Sequence, residues 1–172
     1  MIRPAQIQDL PAISRIYEEI FRAEEHAMPY TNWKRGVYPT EDTARTALEE
    51  GTLYAGEEDG VLWGSVILND YQLPGYEQIP WSYPAASQDV AVIHTLCIHP
   101  AFGGSGRARE LIAYCEDLSR SRGKTVVRLD TWVGNLPANR LYASIGYHLA
   151  GTGDFLFQGV LSLPLNCYEH TL

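Results

Sequence analysis

The spacing of apolar and polar residues changes along the chain between a helical and a strand period, which predicts a mixed α/β fold. Helices are predicted at 10–21, 40–50 and 106–122, and a short fourth helix opens at Asn135. Strands are predicted at 2–5, 52–57, 61–69, 90–98, 125–130, 147–150 and about 160–170. Residues 151–159 are predicted to form a turn-rich insert.

Helix caps and connections refine this pattern. Asp9 and Thr40 precede the first two helices and are predicted to cap them. The Asp59-Gly60 pair favours a tight hairpin, so the strands on either side of it run antiparallel. A helix separates strands 90–98 and 125–130, and a right-handed crossover makes these two strands parallel.

Composition narrows the class of protein. A chain of 172 residues with 45% hydrophobic residues is predicted to be one globular domain, residues 1–172. It has no run of about 18 apolar residues and no signal-like start, so we expect a cytoplasmic protein without membrane association. A net charge of -8 argues against nucleic-acid binding. The three cysteines are predicted to be buried thiols, and no Cys/His spacing suggests a metal site.

The most informative stretch joins strand 90–98 to the helix that follows. After Pro100 the chain passes through Gly103-Gly104-Ser105-Gly106 and then regains a helical period. Glycines let several backbone N–H groups point at one ligand, and a helix start adds further unpaired N–H groups and the positive end of its dipole. The stretch therefore predicts a pyrophosphate-binding loop.

This stretch resembles the acyl-CoA-binding signature of the GCN5-related N-acetyltransferase (GNAT) superfamily. Residues 96–100 match a strand ending L-x-V-x-P, and residues 103–108 fill the six positions of the loop. Gly103 departs from the pattern because the family usually has Arg or Gln there. The resemblance implies an α/β (α+β) GNAT fold, with a mostly antiparallel sheet of six to seven strands, a parallel central pair and about four helices.

A second segment, NLPANRLYASIGY at 135–147, resembles the superfamily's N-x-x-A-x-x-L-Y-x-x-x-G-[FY] signature. The resemblance implies that Asn135 reaches the CoA chain or orders the helix start, and that Tyr142 protonates the departing thiolate. A phenol with an ordinary pKa of about 10 suits that role. The alternative is that Tyr142 only packs on the core. The implied contacts to acetyl-CoA come from Leu96, Cys97, Ile98, Gly103, Gly104, Ser105, Gly106, Arg107, Ala108, Asn135 and Ala138.

His94 is the candidate base, since it interrupts an apolar row of strand 90–98. Histidine can accept the proton of an alkylammonium near neutral pH. The run from His94 to His99 resembles the equivalent strand of arylalkylamine N-acetyltransferases, which carry a second histidine where this chain has Val92. The alternative is an ordinary core histidine.

Aromatic residues are candidates for binding the acceptor. Tyr30 and Trp33 lie between the first two helices, and Tyr76 and Trp81 lie in a long segment, 71–89, that we call the flap. In each place the alternative is that the aromatics only pack the core. The resemblance implies metal-free acetyl transfer from acetyl-CoA to a small primary amine, in a possible homodimer. The alternatives are a peptide or protein acceptor, and a CoA-binding regulatory module without turnover.

Overall fold

A computed structural model describes residues 1–157 and 161–172 of the chain. The helices are α1 (Leu10–Glu25), α2 (Glu41–Glu49), α3 (Arg107–Ser121) and α4 (Leu136–Ser144). The strands are β1 (Ile2–Pro4), β2 (Leu53–Glu58), β3 (Val61–Asn69), β4 (Val90–Ile98), β5 (Val126–Trp132), β6 (His148–Phe157) and β7 (Leu161–Thr171). In this described part of the chain, no helix is long and apolar enough to cross a membrane.

The strands form one seven-stranded sheet in the order β1-β2-β3-β4-β5-β7-β6. The β4–β5 pair is parallel, with Val90 opposite Val126 and Ile93 opposite Leu129. The pairs β1–β2, β2–β3, β5–β7 and β6–β7 are antiparallel. The predicted fold class, a mixed sheet with one parallel central pair and about four helices, is confirmed.

The chain divides into two compact units. The first consists of Met1–Pro29, Trp33–Leu68 and His94–Cys115, and the second of Tyr30–Asn32, Asn69–Ile93 and Glu116–Leu172. Each unit has its own apolar cluster: α1, α2, β2 and β3 build the first, and the flap packs on β4, β5 and β7 in the second. The expectation of a single domain stays a prediction.

The helix caps agree with the sequence in one case and differ in the other. Thr40 caps α2, since its hydroxyl accepts the N–H of Thr43 at 3.3 Å. Asp9 stands at the start of α1 but makes no cap hydrogen bond there. Its carboxylate accepts the N–H of Gln6 at 2.7 Å, which caps the preceding short turn at Ile7–Asp9, and it pairs with Arg3 of β1 at 2.7 Å.

The predicted turn-rich insert is wrong over residues 151–157. These residues continue β6, and they pair with β7 from Gly151 opposite Cys167 to Phe157 opposite Leu161. The glycines there provide close packing and no turn: a Cβ on Gly151 would lie 3.0 Å from Cδ of Pro80. Residues 158–160, which include the predicted end of the insert and the predicted start of the closing strand, lie outside the described residues.

Candidate active site

The glycine loop belongs to the first unit and connects β4 to α3. A short turn at Pro100–Phe102 opens it, and this turn uses nearby N–H groups: Phe102 donates to the His99 carbonyl at 2.8 Å, and Gly103 donates to the Pro100 carbonyl at 3.0 Å. The N–H of Gly103 is therefore engaged inside the loop. The donors that suit an anion are those from Gly104 to Ala108.

The backbone of the loop explains its glycines. Gly104 has φ +72° and Gly106 has φ +86°, both in the left-handed region, yet a Cβ at either position would meet nothing within 4 Å. Backbone conformation and not space therefore requires glycine here. The loop is exposed, and it ends where the first turn of α3 presents N–H groups without intrahelical acceptors. This arrangement fits the pyrophosphate of acetyl-CoA.

For Arg107, the group that suits an anion is the backbone N–H, because the side chain is already bound elsewhere. The guanidinium pairs with Glu110 at 2.9 Å and with Glu58, and it lies 4.9 Å from the centre of the Trp63 ring. These contacts fix the first turn of α3 against β2 and β3. Its N–H and that of Ala108 remain at the helix start.

Leu96, Cys97 and Ile98 end β4 in the first unit. The Cys97 carbonyl faces β3, where a Cβ on Gly64 would approach it to 2.7 Å, and the His99 N–H donates to the Trp63 carbonyl at 2.8 Å. Since backbone groups alternate along a strand, Leu96 and Ile98 turn theirs to the other edge of β4. These two residues suit a strand-like contact to pantetheine better than Cys97.

The Cys97 thiol is buried and lies 3.1 Å from the Ser65 hydroxyl. Burial raises the pKa of Cys97 to about 11, so the thiolate is scarce at neutral pH. His94, also in the first unit, is half-buried. It precedes Thr95, whose φ of +46° marks an irregularity in β4.

The second signature lies in the second unit, where Asn135 caps α4. Its Oδ1 accepts the Ala138 N–H at 3.3 Å, and its Nδ2 donates to the Thr131 hydroxyl at 3.1 Å. Of the two roles suggested for Asn135, ordering the helix start is the one that these bonds perform. The Ala138 N–H is therefore already engaged in the hydrogen bond of this cap.

Tyr142 is buried on α4 with 6% of its surface exposed, and its ring centre lies 5.5 Å from that of Tyr168 and 6.0 Å from that of Tyr147. Burial and then the negative charge of Asp130 raise the pKa of Tyr142 above its ordinary value. The phenol therefore stays protonated at neutral pH, as a general acid must.

Residues 10–147 match the model of the acetyltransferase (GNAT) family, which is most of the chain. The chain belongs to this family. Its loop and its second signature both fall inside the matched range.

Individual proteins are also similar to this chain. Over 104 residues, 59% of this chain, it is 31% identical to streptothricin acetyltransferase of Escherichia coli, and the match spans 55% of that relative's length. A Staphylococcus aureus Mu50 protein classed as an acetyltransferase has a similar structure, with a TM-score of 0.74 and 25% identity, covering 99% of this chain and 98% of that one. A Salmonella typhimurium structure solved with its cofactor acetyl-CoA has a TM-score of 0.72 and 22% identity, covering 100% and 93%.

In this GNAT family member, the aromatic candidates fall into different surroundings. Tyr76 is buried with 2% of its surface exposed, and its hydroxyl donates to Oδ2 of Asp130 at 2.6 Å. Trp81 is half-buried, and its indole N–H donates to the Tyr76 carbonyl at 2.7 Å. Tyr30 belongs to the second unit and Trp33 packs on the apolar cluster of the first. The hydroxyl of Tyr76 is thus hydrogen-bonded to the carboxylate of Asp130.

Sequence reasoning missed three charged residues of the second unit: Arg128, Asp130 and Glu169. Arg128 lies 4.1 Å from the centre of the Trp81 ring, and Glu169 accepts the N–H of Ser82 at 2.6 Å. The available signal was the alternation in β5, where Arg128 and Asp130 replace apolar residues on one face of an otherwise apolar strand.

Proposed function

We propose that this chain transfers an acetyl group from acetyl-CoA to the primary amine of a small molecule. The observation that carries the proposal is the exposed loop with two left-handed glycines at the start of α3, in a chain of the GNAT family. The E. coli relative is named for streptothricin as its acceptor, which favours a small molecule over a protein. The fold shared with the acetyl-CoA-bound Salmonella structure supports the cosubstrate.

In the proposed mechanism, acetyl-CoA supplies the reactive thioester. Backbone N–H groups from Gly104 to Ala108 hold its pyrophosphate, and backbone groups of Ile98 hold the pantetheine arm. These contacts contribute to rate by positioning. Tyr142 donates a proton to the departing sulfur, and its raised pKa means that the phenol is protonated at neutral pH before the reaction begins.

The acceptor must lose a proton before it can attack, since an alkylamine with a pKa near 10.4 is mostly ammonium at pH 7. On the sequence alone, His94 is one candidate for the base that accepts this proton. Its contribution can be measured with His94→Gln, which keeps a polar side chain of similar reach but removes the titrating ring. A base leaves a rate deficit that shrinks at high pH, where the free amine is already neutral.

The reaction itself is tested by measuring free CoA released from acetyl-CoA with a panel of polyamines, arylalkylamines, amino acids and peptides. Release with small amines is the expected result. Release with peptides alone would move the acceptor to proteins. Binding of acetyl-CoA without release would make the chain a CoA-binding regulatory module.

The loop has a matched control elsewhere in the chain. Gly104 at φ +72° and Gly123 at φ +74° have the same left-handed backbone, and neither would bring a Cβ within 4 Å of another group. Gly104→Ala and Gly123→Ala should therefore cost similar stability, about 1–2 kcal/mol. Acetyl-CoA affinity, measured by calorimetry, should fall only for Gly104→Ala. Equal affinities would refute the role of the loop.

A further inference from the structure

A carboxylate of the second unit has the surroundings of a functional group. Asp130 lies on β5 opposite Cys167 of β7, and the Tyr76 hydroxyl of the flap donates to its Oδ2 at 2.6 Å. Among the described residues, no donor reaches its Oδ1. Asp130 as a residue is half-buried. A carboxylate held by one oxygen with the other available is suited to binding a cation.

The groups facing Asp130 come from four elements. They are Tyr76 of the flap, Tyr142 of α4, Cys167 of β7 and, two residues earlier on the same face of β5, Arg128. Burial raises the pKa of Asp130 to about 6, and the hydrogen bond from Tyr76 opposes this rise. Asp130 is therefore mostly ionised at pH 7 and still basic enough to take a proton.

We propose that Asp130, and not His94, binds the ammonium group of the acceptor through its free carboxylate oxygen and takes the first proton from it. The inference rests on the proposed acetyl transfer and adds the recognition of a primary ammonium. It places the proton acceptor in the same unit as Tyr142, whose pKa already responds to the charge of Asp130.

The proton and electron balance follows. The ammonium gives one proton to Asp130, and the neutral nitrogen forms a bond to the thioester carbonyl carbon. The carbon–sulfur bond breaks, and the thiolate takes the phenolic proton of Tyr142. The second proton lost by nitrogen restores that phenol, and Asp130 returns its proton to water. The net products are the amide, free CoA and one proton.

The first test compares Asp130→Asn with Asp117→Asn, the same change at an exposed position of α3. For the unaltered protein, kcat/KM with a primary amine should rise with pH up to about 6 and then level off. Asp130→Asn should lose about 100-fold at pH 7 and recover as pH approaches about 10, where the amine is neutral in solution. Asp117→Asn should keep the unaltered profile.

The second test shifts the pKa of Asp130 while its carboxylate stays in place. Tyr76→Phe removes the hydrogen bond that lowers the pKa of Asp130, so the acidic limb of kcat/KM should move to higher pH, by roughly one pH unit. Carbon-13 NMR of labelled aspartate, assigned by difference with Asp130→Asn, should show the same movement without any turnover. His94→Gln should leave the limb near pH 6.

The outcomes separate the two proposals. If the unaltered protein releases CoA but Asp130→Asn loses rate equally at all pH values, or if His94→Gln abolishes the limb, Asp130 is not the proton acceptor. If the unaltered protein releases no CoA with any amine, the proposed acetyl transfer fails and the role of Asp130 fails with it.

Discussion

Gly56 and Trp63 make a close contact in the first unit that predicts the effect of a single methyl group. A Cβ on Gly56 would lie 2.3 Å from Cζ2 and 2.4 Å from Cη2 of Trp63, whereas carbon atoms in contact need about 3.5 Å. The ring would have to retreat by more than about 1 Å. Trp63 is wholly buried and has Arg107 on its face, so there is little room for that movement.

Gly56→Ala should therefore lower the free energy of unfolding by about 1–3 kcal/mol, the usual cost of overpacking a core. For a chain of this length the melting temperature should fall by about 2–12 °C. Because Trp63 supports Arg107 at the start of α3, acetyl-CoA affinity should fall as well. Urea unfolding followed by circular dichroism measures the first effect, and calorimetry measures the second.

A double-mutant cycle with Trp63→Leu tests the cause. If the overlap with the ring is the reason for the loss, the alanine should cost at least about 1 kcal/mol less when leucine replaces tryptophan. Costs that add within about 0.5 kcal/mol would show that the two residues act independently, and the reasoning from their contact would be refuted.

Two further predictions concern Tyr142, the proposed general acid, and Asp9, which stands at the start of α1. Tyr142→Phe should lower turnover by about 100-fold or more, with acetyl-CoA affinity nearly unchanged, and an unaltered rate would remove Tyr142 from the acid role. Hydrogen bonds from Arg3 hold the pKa of Asp9 below its ordinary value of 3.8. Asp9 therefore stabilises the fold above that pH, and the benefit is lost as pH falls toward its lowered pKa. Asp9→Asn should be less stable than the unaltered protein in urea at pH 7, and the difference should shrink at pH 3.

The elements that sequence predicts well are those whose signals are local. The strand, loop and helix around Gly103–Gly106 follow from a change of period and from three glycines in four positions, and the structure has this order. The two hairpin strands beside Asp59-Gly60 follow from the turn itself. In both cases the residues that decide the structure are neighbours in the chain.

The glycines of β6 show where local signals mislead. Gly151 and Gly153 suggest turns, but each lies in a strand against the flap, with Pro80 3.0 Å from a Cβ built on Gly151 and Ile79 3.2 Å from one built on Gly153. A missing side chain can serve a turn or a close approach. The sequence does not distinguish these, because the approaching residue is about 70 positions away.

The chemistry of the second unit depends on contacts of the same long range. Glu169 binds the flap at Ser82, 87 residues earlier in the chain, Arg128 covers Trp81, and Tyr76 binds Asp130. Three separate contacts thus hold the flap on the sheet before any ligand is present.

The raised pKa of Asp130 comes from burial in these surroundings, so it is a property of the free protein. A base whose surroundings are already built needs no rearrangement when the acceptor arrives. The free-energy cost of burying the carboxylate is met during folding and does not add to the barrier of the reaction. Sequence reasoning passes over this carboxylate because its surroundings, which include Tyr76 of the flap and Cys167 of β7, come from residues far from it in the chain.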